Sequence, residues 1–156
     1  EETRRLVSYG HADSSRELGK RVRKLLKEAC DQLGRFRDDP RPCIAVLVDT
    51  TYGDYLSPSN IEAAMFGDLI VLLPVASGDG VAVFSYGRNR RLNAKRGLYL
   101  GAVAVLTRDR RLNLYHNPYA QKRIPPKCFP SPQDRHFMKK GHPDESGHGW
   151  CEYGRQ

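Results

Sequence analysis

Apolar residues recur between positions 18 and 33 with the spacing of one helix face, at i, i+4, i+7, i+8, i+11 and i+15. Most basic residues of this stretch lie off that stripe. Ser14 followed by Glu17 matches a capping box, and Gly34 stands where a left-handed C-terminal cap is expected. The pattern predicts an amphipathic helix over 14–34, with an apolar face for the core and a basic face outside it.

Five runs further along the chain have the length and the apolar, partly β-branched composition of strands. They cover residues 43–48, 69–75, 81–86, 98–107 and 112–116. A Gly-Asp-Gly turn at 78–80 joins the second and third runs into a predicted hairpin. A charged turn at 108–111 joins the last two runs into another.

A short helix is predicted between the first two strands. Ser57 or Ser59 can cap a helix over 60–66, Pro58 suits its first turn, and Gly67 ends it. Together these elements predict an α/β (or α+β) fold. We expect a single domain with a mixed β-sheet of about five strands, one long basic helix and one short helix.

The character of the chain changes from Pro118 onward, where prolines punctuate a polar segment with few periodic apolar positions. We expect an α/β domain over 1–130 and an irregular, proline-rich C-terminal tail over 131–156. Isolated apolar residues such as Phe137 and Trp150 are expected to anchor this tail on the domain.

The 156 residues include 26 Lys and Arg against 18 Asp and Glu, a formal net charge of +8. This balance favours a polyanion as partner, nucleic acid above all, although it also serves solubility. No run approaches the roughly 18 apolar residues of a membrane span, and residues 1–13 lack the apolar core of a signal peptide. We therefore expect a soluble, cytoplasmic protein.

Positive charge concentrates in the predicted long helix and in the connection 87–97, which has five basic residues in eleven. The connection is predicted to be exposed and to dominate nucleic-acid affinity, with Asn89 and Asn93 adding neutral hydrogen bonds. A plain solvated surface is the alternative. The candidate nucleic-acid-binding residues are Lys20, Arg23, Lys24, Lys27, Arg88, Arg90, Arg91, Lys95 and Arg96.

The four cysteines form no C-x-x-C pair, and Cys30 and Cys43 occupy apolar positions, which predicts reduced core residues. Towards the C terminus, His and Cys residues, both favoured by zinc, cluster within 24 positions. Their spacing matches no close metal-ligand pattern, so a structural tail is the alternative and no metal site is assigned. The cluster consists of Cys128, His136, His142, His148 and Cys151.

Carboxylates surround the end of the first strand and the short helix, at Asp49, Asp54, Glu62 and Asp68. A pair of them would suit Mg²⁺, which takes oxygen ligands and retains waters. The alternative is that they order turns and face solvent.

His116 followed by Asn117 offers a general base beside an orienting amide. A His at a strand end before Asn-Pro is more often part of a turn, and no Ser or Cys nucleophile stands at a telling spacing. No catalytic residue is assigned, and no cofactor is evident.

Two motifs stand out, SPSNIEAAMFGD at 57–68 and LYHNPYA at 114–120, the second followed by Ile124-Pro125-Pro126 and Phe129. On these motifs the chain resembles a group of uncharacterised bacterial proteins assigned to the restriction-endonuclease-like, PD-(D/E)XK, superfamily. The similarity covers roughly residues 14–130 and implies an α/β scaffold.

In that superfamily an Asp on one strand and a Glu-x-Lys on the next bind a divalent metal, ahead of a core helix and a further strand. If 14–34 and 43–49 correspond to that helix and strand, the metal-binding strands are expected before residue 14. Residues 1–13 contain no Glu-x-Lys pattern. The resemblance thus implies a catalytic metal site that is absent or is supplied by further sequence or by a partner.

The leading hypothesis is a nucleic-acid-binding domain related to PD-(D/E)XK nucleases, with no catalytic metal site evident. The first alternative is a protein-interaction or structural subunit of a larger assembly, including a homo-oligomer. The second is a Mg²⁺-dependent nuclease that uses Asp49, Asp54 or Glu62.

Overall fold

The computed structural model describes residues 14–48, 55–72, 83–129, 133–139 and 150–153. These residues form two α-helices, seven strands and two short 3₁₀ turns, at Gly34–Phe36 and Pro126–Cys128. The longer elements are α1 (Ser14–Leu33), β1 (Cys43–Val48), α2 (Pro58–Phe66), β2 (Leu69–Leu72), β3 (Val83–Tyr86), β4 (Leu100–Leu106), β5 (Leu112–His116), β6 (Arg135–Lys139) and β7 (Trp150–Glu152).

Five of the strands form one mixed sheet in the order β1-β4-β5-β6-β7, and β2 and β3 form a separate antiparallel pair. β1 runs parallel to β4, and β5 runs parallel to β6. The other two pairings, β4 with β5 and β6 with β7, are antiparallel. The predicted mixture of helices and a mixed sheet of five strands is confirmed.

The core lies between the two helices and one face of the five-stranded sheet. Val22 and Leu26 of α1 belong to the same buried cluster as Ala45 and Leu47 of β1 and Ile61 of α2. All five have relative exposures of 7% or less, so the helical stripe and the alternation of β1 meet in one apolar layer.

The register of α1 leaves one apolar residue of the predicted stripe outside the core. Leu25 is 42% exposed, because it lies at the margin of the stripe and not at its centre. The predicted capping box at Ser14 and Glu17 involves side chains outside the described residues. Gly34 differs from the expectation: it has no positive φ and begins a 3₁₀ turn that continues α1 to Phe36.

The α2 helix begins and ends as the sequence predicted. The Ser57 hydroxyl accepts a hydrogen bond from the Asn60 backbone N–H at 3.4 Å, and Pro58 is the first residue. Gly67 ends the helix with φ 96° and donates its N–H to the Ala63 carbonyl. A Cβ on Gly67 would lie 2.6 Å from the Gly87 carbonyl oxygen. The absence of a side chain at Gly67 therefore lets the segment that follows β3 pack closely against this turn.

The strand β4 lies between β1 and β5, and its residues Leu100–Val105 are all buried. Gly101 lets a neighbouring segment of the chain approach the strand closely. A Cβ on Gly101 would lie 2.8 Å from Cγ1 of Ile124, which packs directly on the strand.

The C-terminal segment departs from the expected irregular tail in two places. β6 pairs with β5, and β7 pairs with β6, so Arg135–Lys139 and Trp150–Glu152 extend the main sheet. The five-stranded sheet therefore includes two strands that the pattern missed. The predicted hairpin 69–86 is confirmed as β2 and β3 but stands apart from that sheet, and its Gly-Asp-Gly turn lies outside the described residues.

One buried amide fixes the entry to β4. The side-chain N–H₂ of Asn117 donates to the Gly97 carbonyl at 3.0 Å and to the Leu100 carbonyl at 2.8 Å. Its carbonyl oxygen accepts the Tyr119 backbone N–H at 3.0 Å. Asn117 is 3% exposed, so this amide braces the chain just before β4 instead of serving a general base.

A basic groove as the candidate functional site

A groove of about 440 Å³ opens between the C-terminal half of α1, the loop after the first 3₁₀ turn and the connection before β4. Five cationic residues line it: Lys27, Arg37, Arg91, Lys95 and Arg96. Two carboxylates, Asp31 and Asp38, lie on the same walls, together with the half-buried ring of Tyr99.

The groove brings together the two basic segments that the sequence singled out. Lys27 comes from α1, whereas Arg91, Lys95 and Arg96 come from the connection about 65 to 70 residues later. Cations from different elements converge on one concave surface, and their field adds in a cleft with low-dielectric walls. This convergence makes the groove the strongest candidate for a functional site among the described residues.

The other candidate residues lie outside the lining of the groove. Lys20, Lys24 and Arg88 are exposed, and Arg90 is half-buried. Lys24 lies 4.0 Å from Glu28 in an exposed i,i+4 pair. The Arg23 side chain is only 11% exposed, and its guanidinium lies 2.5 Å from the Asp68 carboxylate, so its charge is committed to a partner inside the chain.

The connection before β4 exposes Arg88, Lys95 and Arg96, as its composition indicated, but its backbone is anchored to the core. The backbone N–H groups of Arg91 and Leu92 both donate to the Met65 carbonyl, at 3.0 and 2.8 Å. Leu92 is fully buried and packs on Gly97, whose φ of 71° only glycine adopts freely. The segment therefore presents its charged side chains from a fixed backbone.

The two asparagines of the connection are used within the chain. Asn89 donates to the Asp68 carboxylate at 2.7 Å, and its carbonyl oxygen accepts the Asp68 N–H. The Asn93 side chain accepts the Lys95 backbone N–H at 2.8 Å. The Asn89 amide is thus committed to Asp68, and the Asn93 carbonyl oxygen helps to shape the connection.

Arg37 is a groove residue that sequence reasoning missed, whereas Tyr99 stands out in the sequence as an aromatic residue that flanks the basic connection. Arg37 belongs to the loop 37–42, whose charges and prolines indicated only the end of a helix. Tyr99 reads as a strand residue in an apolar run, but its hydroxyl donates to the Cys30 carbonyl at 2.7 Å. Burial raises the pKa of Tyr99 to about 12, with a smaller contribution from the neighbouring Cys30. The Tyr99 hydroxyl on this wall of the groove therefore stays neutral.

The carboxylates considered for Mg²⁺ have other partners where they are described. Glu62 Oε1 lies 2.5 Å from the ammonium of Lys139 and accepts the Tyr86 hydroxyl at 2.5 Å. Asp68 is paired with Arg23 and Asn89. Asp49 and Asp54 lie outside the described residues.

The Lys139 side chain is 2% exposed, and its ammonium lies among aromatic rings. Its Nζ lies 5.3 to 5.7 Å from the ring centroids of Phe66, Tyr86 and Trp150. It also lies 2.6 Å from the Tyr86 hydroxyl, whose pKa is raised by burial and by the hydrogen bond to Glu62. This cluster joins α2 and β3 to the C-terminal strands β6 and β7.

His116 and His136 form a second buried polar contact, between β5 and β6. His116 Nε2 lies 2.9 Å from His136 Nδ1, and each residue is 7% exposed. Burial, and then the neighbouring His136, lowers the pKa of His116 from 6.5 to about 4. The arrangement explains His116 as a structural residue of the sheet.

The low pKa of His116 predicts acid destabilisation. The unfolded chain binds a proton at His116 below pH 6.5, whereas the folded chain does so only near pH 4, so stability is lost between these values as pH falls. The loss is expected to be about 2 to 3 kcal/mol at about 1.4 kcal/mol per pKa unit. Urea unfolding of the wild type and of His116→Gln at pH 7 and 4.5 measures it. Equal losses in the two proteins would contradict the assignment.

The described part of the chain holds no group of three or more His, Cys, Asp or Glu side chains arranged to bind a metal ion. Of the zinc-type residues near the C terminus, Cys128 is exposed, Cys151 is half-buried and His136 pairs with His116. His142 and His148 lie outside the described residues. All four cysteines are free thiols, and Cys30 and Cys43 are half-buried.

Comparison with protein-family models, with curated proteins and with solved structures finds no match. Among the described helices, none has the length and apolarity needed to cross a membrane. The groove itself therefore carries the functional argument.

Proposed function

We propose that this chain is a nucleic-acid-binding domain whose binding site is the basic groove. The observation that carries the proposal is the convergence of Lys27, Arg37, Arg91, Lys95 and Arg96 on one cleft. Phosphate binding needs positive charge within reach of the backbone, and arginine adds forked donors that match phosphate oxygens. The formal net charge of +8 provides a field of the same sign over the whole chain.

The relation to PD-(D/E)XK nucleases remains part of this proposal. The domain would supply binding, and metal-dependent cleavage would need carboxylates beyond Glu62 and Asp68, which are occupied by Lys139 and Arg23. A Mg²⁺-dependent nuclease using Asp49, Asp54 or Glu62 gains no support from the described contacts.

Salt titration tests the proposal. With four or five phosphate contacts, the logarithm of the association constant for a single-stranded oligonucleotide is expected to fall with log salt with a slope of about −3. Fluorescence anisotropy between 50 and 300 mM salt measures the slope, with a neutral polymer as the control ligand. Equal binding of the oligonucleotide and the neutral polymer at low salt would sink the proposal.

A protein-interaction subunit remains the second candidate because β1 forms one edge of the main sheet. Val46 and Val48 are 54% and 57% exposed on this strand, and no described strand pairs with its outer edge. An apolar edge strand is a surface on which another chain can add. Docking there would change little with salt, so the same titration distinguishes the two functions.

A further inference from the structure

The shape of the groove bears on which form of nucleic acid it takes. B-DNA offers grooves of about 12 and 6 Å width, and duplex-reading proteins insert a projecting helix or ribbon into them. Here the cations line a concavity of about 440 Å³, within the size range of sites for small ligands. A concave site of this size suits a single nucleotide whose base is not stacked on the neighbouring bases.

One wall of the groove includes an aromatic residue, Tyr99, which is half-buried. The Tyr99 ring packs against the core, and its hydroxyl also donates to the Cys30 carbonyl at 2.7 Å. Gly97 and Leu98 lie beside it on the same wall and add no charge. Binding sites for single strands combine such a ring, on which a base stacks, with a positive channel for the backbone.

A second wall provides a buried donor. The Arg91 backbone is fixed by its hydrogen bond to Met65, and Arg91 Nε is buried without a hydrogen-bond partner among the described residues. Because Nε has almost no accessible surface, a ligand in the groove meets the other, groove-lining atoms of Arg91. A phosphate oxygen is the acceptor that best matches an arginine.

The two carboxylates on the groove walls give it a selectivity that a uniformly basic patch lacks. Asp31 and Asp38 repel a plain polyanion, but they can accept hydrogen bonds from the amino groups of an unpaired base. In a duplex those amino groups are engaged in base pairs and the ring faces are covered by stacking.

We propose that the groove binds single-stranded nucleic acid by taking one unstacked nucleotide. Its base stacks on Tyr99, and its phosphate contacts Arg91 with the neighbouring Lys95 and Arg96. This inference rests on the proposed function and adds the strand form and the recognition of a base.

The test compares four ligands on the wild-type protein: a 12-residue single strand of DNA, the same strand of RNA, the DNA duplex, and a DNA strand of equal charge in which every base is missing. The single strand is expected to bind at least tenfold more tightly than the duplex. The baseless strand is expected to lose roughly 5- to 150-fold in affinity, which corresponds to one stacked base. Comparing the affinities of the DNA and RNA single strands shows which sugar the groove accepts.

Substitution at Tyr99 locates the effect. Tyr99→Phe keeps the ring and is expected to bind the single strand within about threefold of the wild type, whereas Tyr99→Leu loses the stacking contribution. On the baseless strand Tyr99→Leu should change nothing. Duplex binding as tight as single-strand binding, or an unchanged affinity for the baseless strand, would overturn this inference and leave nucleic-acid binding standing. Failure of every ligand to bind would overturn both.

Discussion

Replacing Lys27, Lys95 and Arg96 together with glutamine is expected to weaken binding of a single-stranded oligonucleotide roughly 100-fold at 0.1 M salt. Each lost phosphate contact lowers the slope of log affinity against log salt by about 0.7. Since 0.1 M lies one decade below 1 M, each lost contact reduces the affinity at 0.1 M salt by about 0.7 decades relative to 1 M. All three side chains are exposed, so the free energy of unfolding should change by less than about 0.5 kcal/mol for each. Anisotropy and urea titrations measure the two quantities.

A matched control separates the groove from net charge. Arg108 and Arg111 lie at the other end of β4, about 20 Å along a strand of seven residues, and Lys127 lies in the second 3₁₀ turn. None of the three lines the groove. Replacing these three with glutamine removes the same charge and should cost less than about fivefold, through the long-range field alone. Equal losses in the two triple variants would contradict a localised site.

Glu62→Gln is expected to lower the free energy of unfolding by about 3 kcal/mol. The substitution removes the Glu62 carboxylate from the ammonium of Lys139, whose side chain is 2% exposed. Breaking a buried ion pair by removing one partner typically costs 3–5 kcal/mol, and the lower end applies because Glu62 is itself 23% exposed. Glu28→Gln removes a carboxylate from the exposed pair with Lys24 and should cost less than about 0.5 kcal/mol.

A double-mutant cycle shows whether charge or packing accounts for that cost. Lys139→Met leaves Glu62 partly exposed and hydrogen-bonded to Tyr86, so a cost of about 1 kcal/mol is expected. The double variant Lys139→Met, Glu62→Gln should be more stable than Glu62→Gln alone, because it leaves no unpaired charge among the aromatic rings of this cluster. Additive losses in the cycle would show that the two residues do not act as a pair.

The sequence predicted the elements of this fold better than their assembly. The stripe of α1 and the caps of α2 are local signals, and the structure reproduces them. The strand Arg135–Lys139 escaped notice because its residues are mostly polar, and its buried ends are paired: His136 contacts His116, and Lys139 contacts Glu62. Polar residues that find partners across a sheet do not leave a hydrophobic pattern.

The candidate site was predictable only in its parts. Lys27 and the segment from Arg91 to Arg96 stand out by charge, but no local pattern shows that they face one another. The juxtaposition depends on the Asn117 amide, which holds Gly97 and Leu100, and on Met65, which anchors the connection. These contacts join residues far apart in sequence, and such pairings appear only once the chain is folded.

Mapping of amide and arginine Nε resonances by NMR, during titration with a short single-stranded oligonucleotide, tests the central claim most directly. The largest shifts are expected on Arg91 Nε and on the backbone amides of Lys27, Arg37 and residues 95–99. Shifts confined to Lys20, Lys24 and Arg88, with the groove unchanged at saturation, would contradict it.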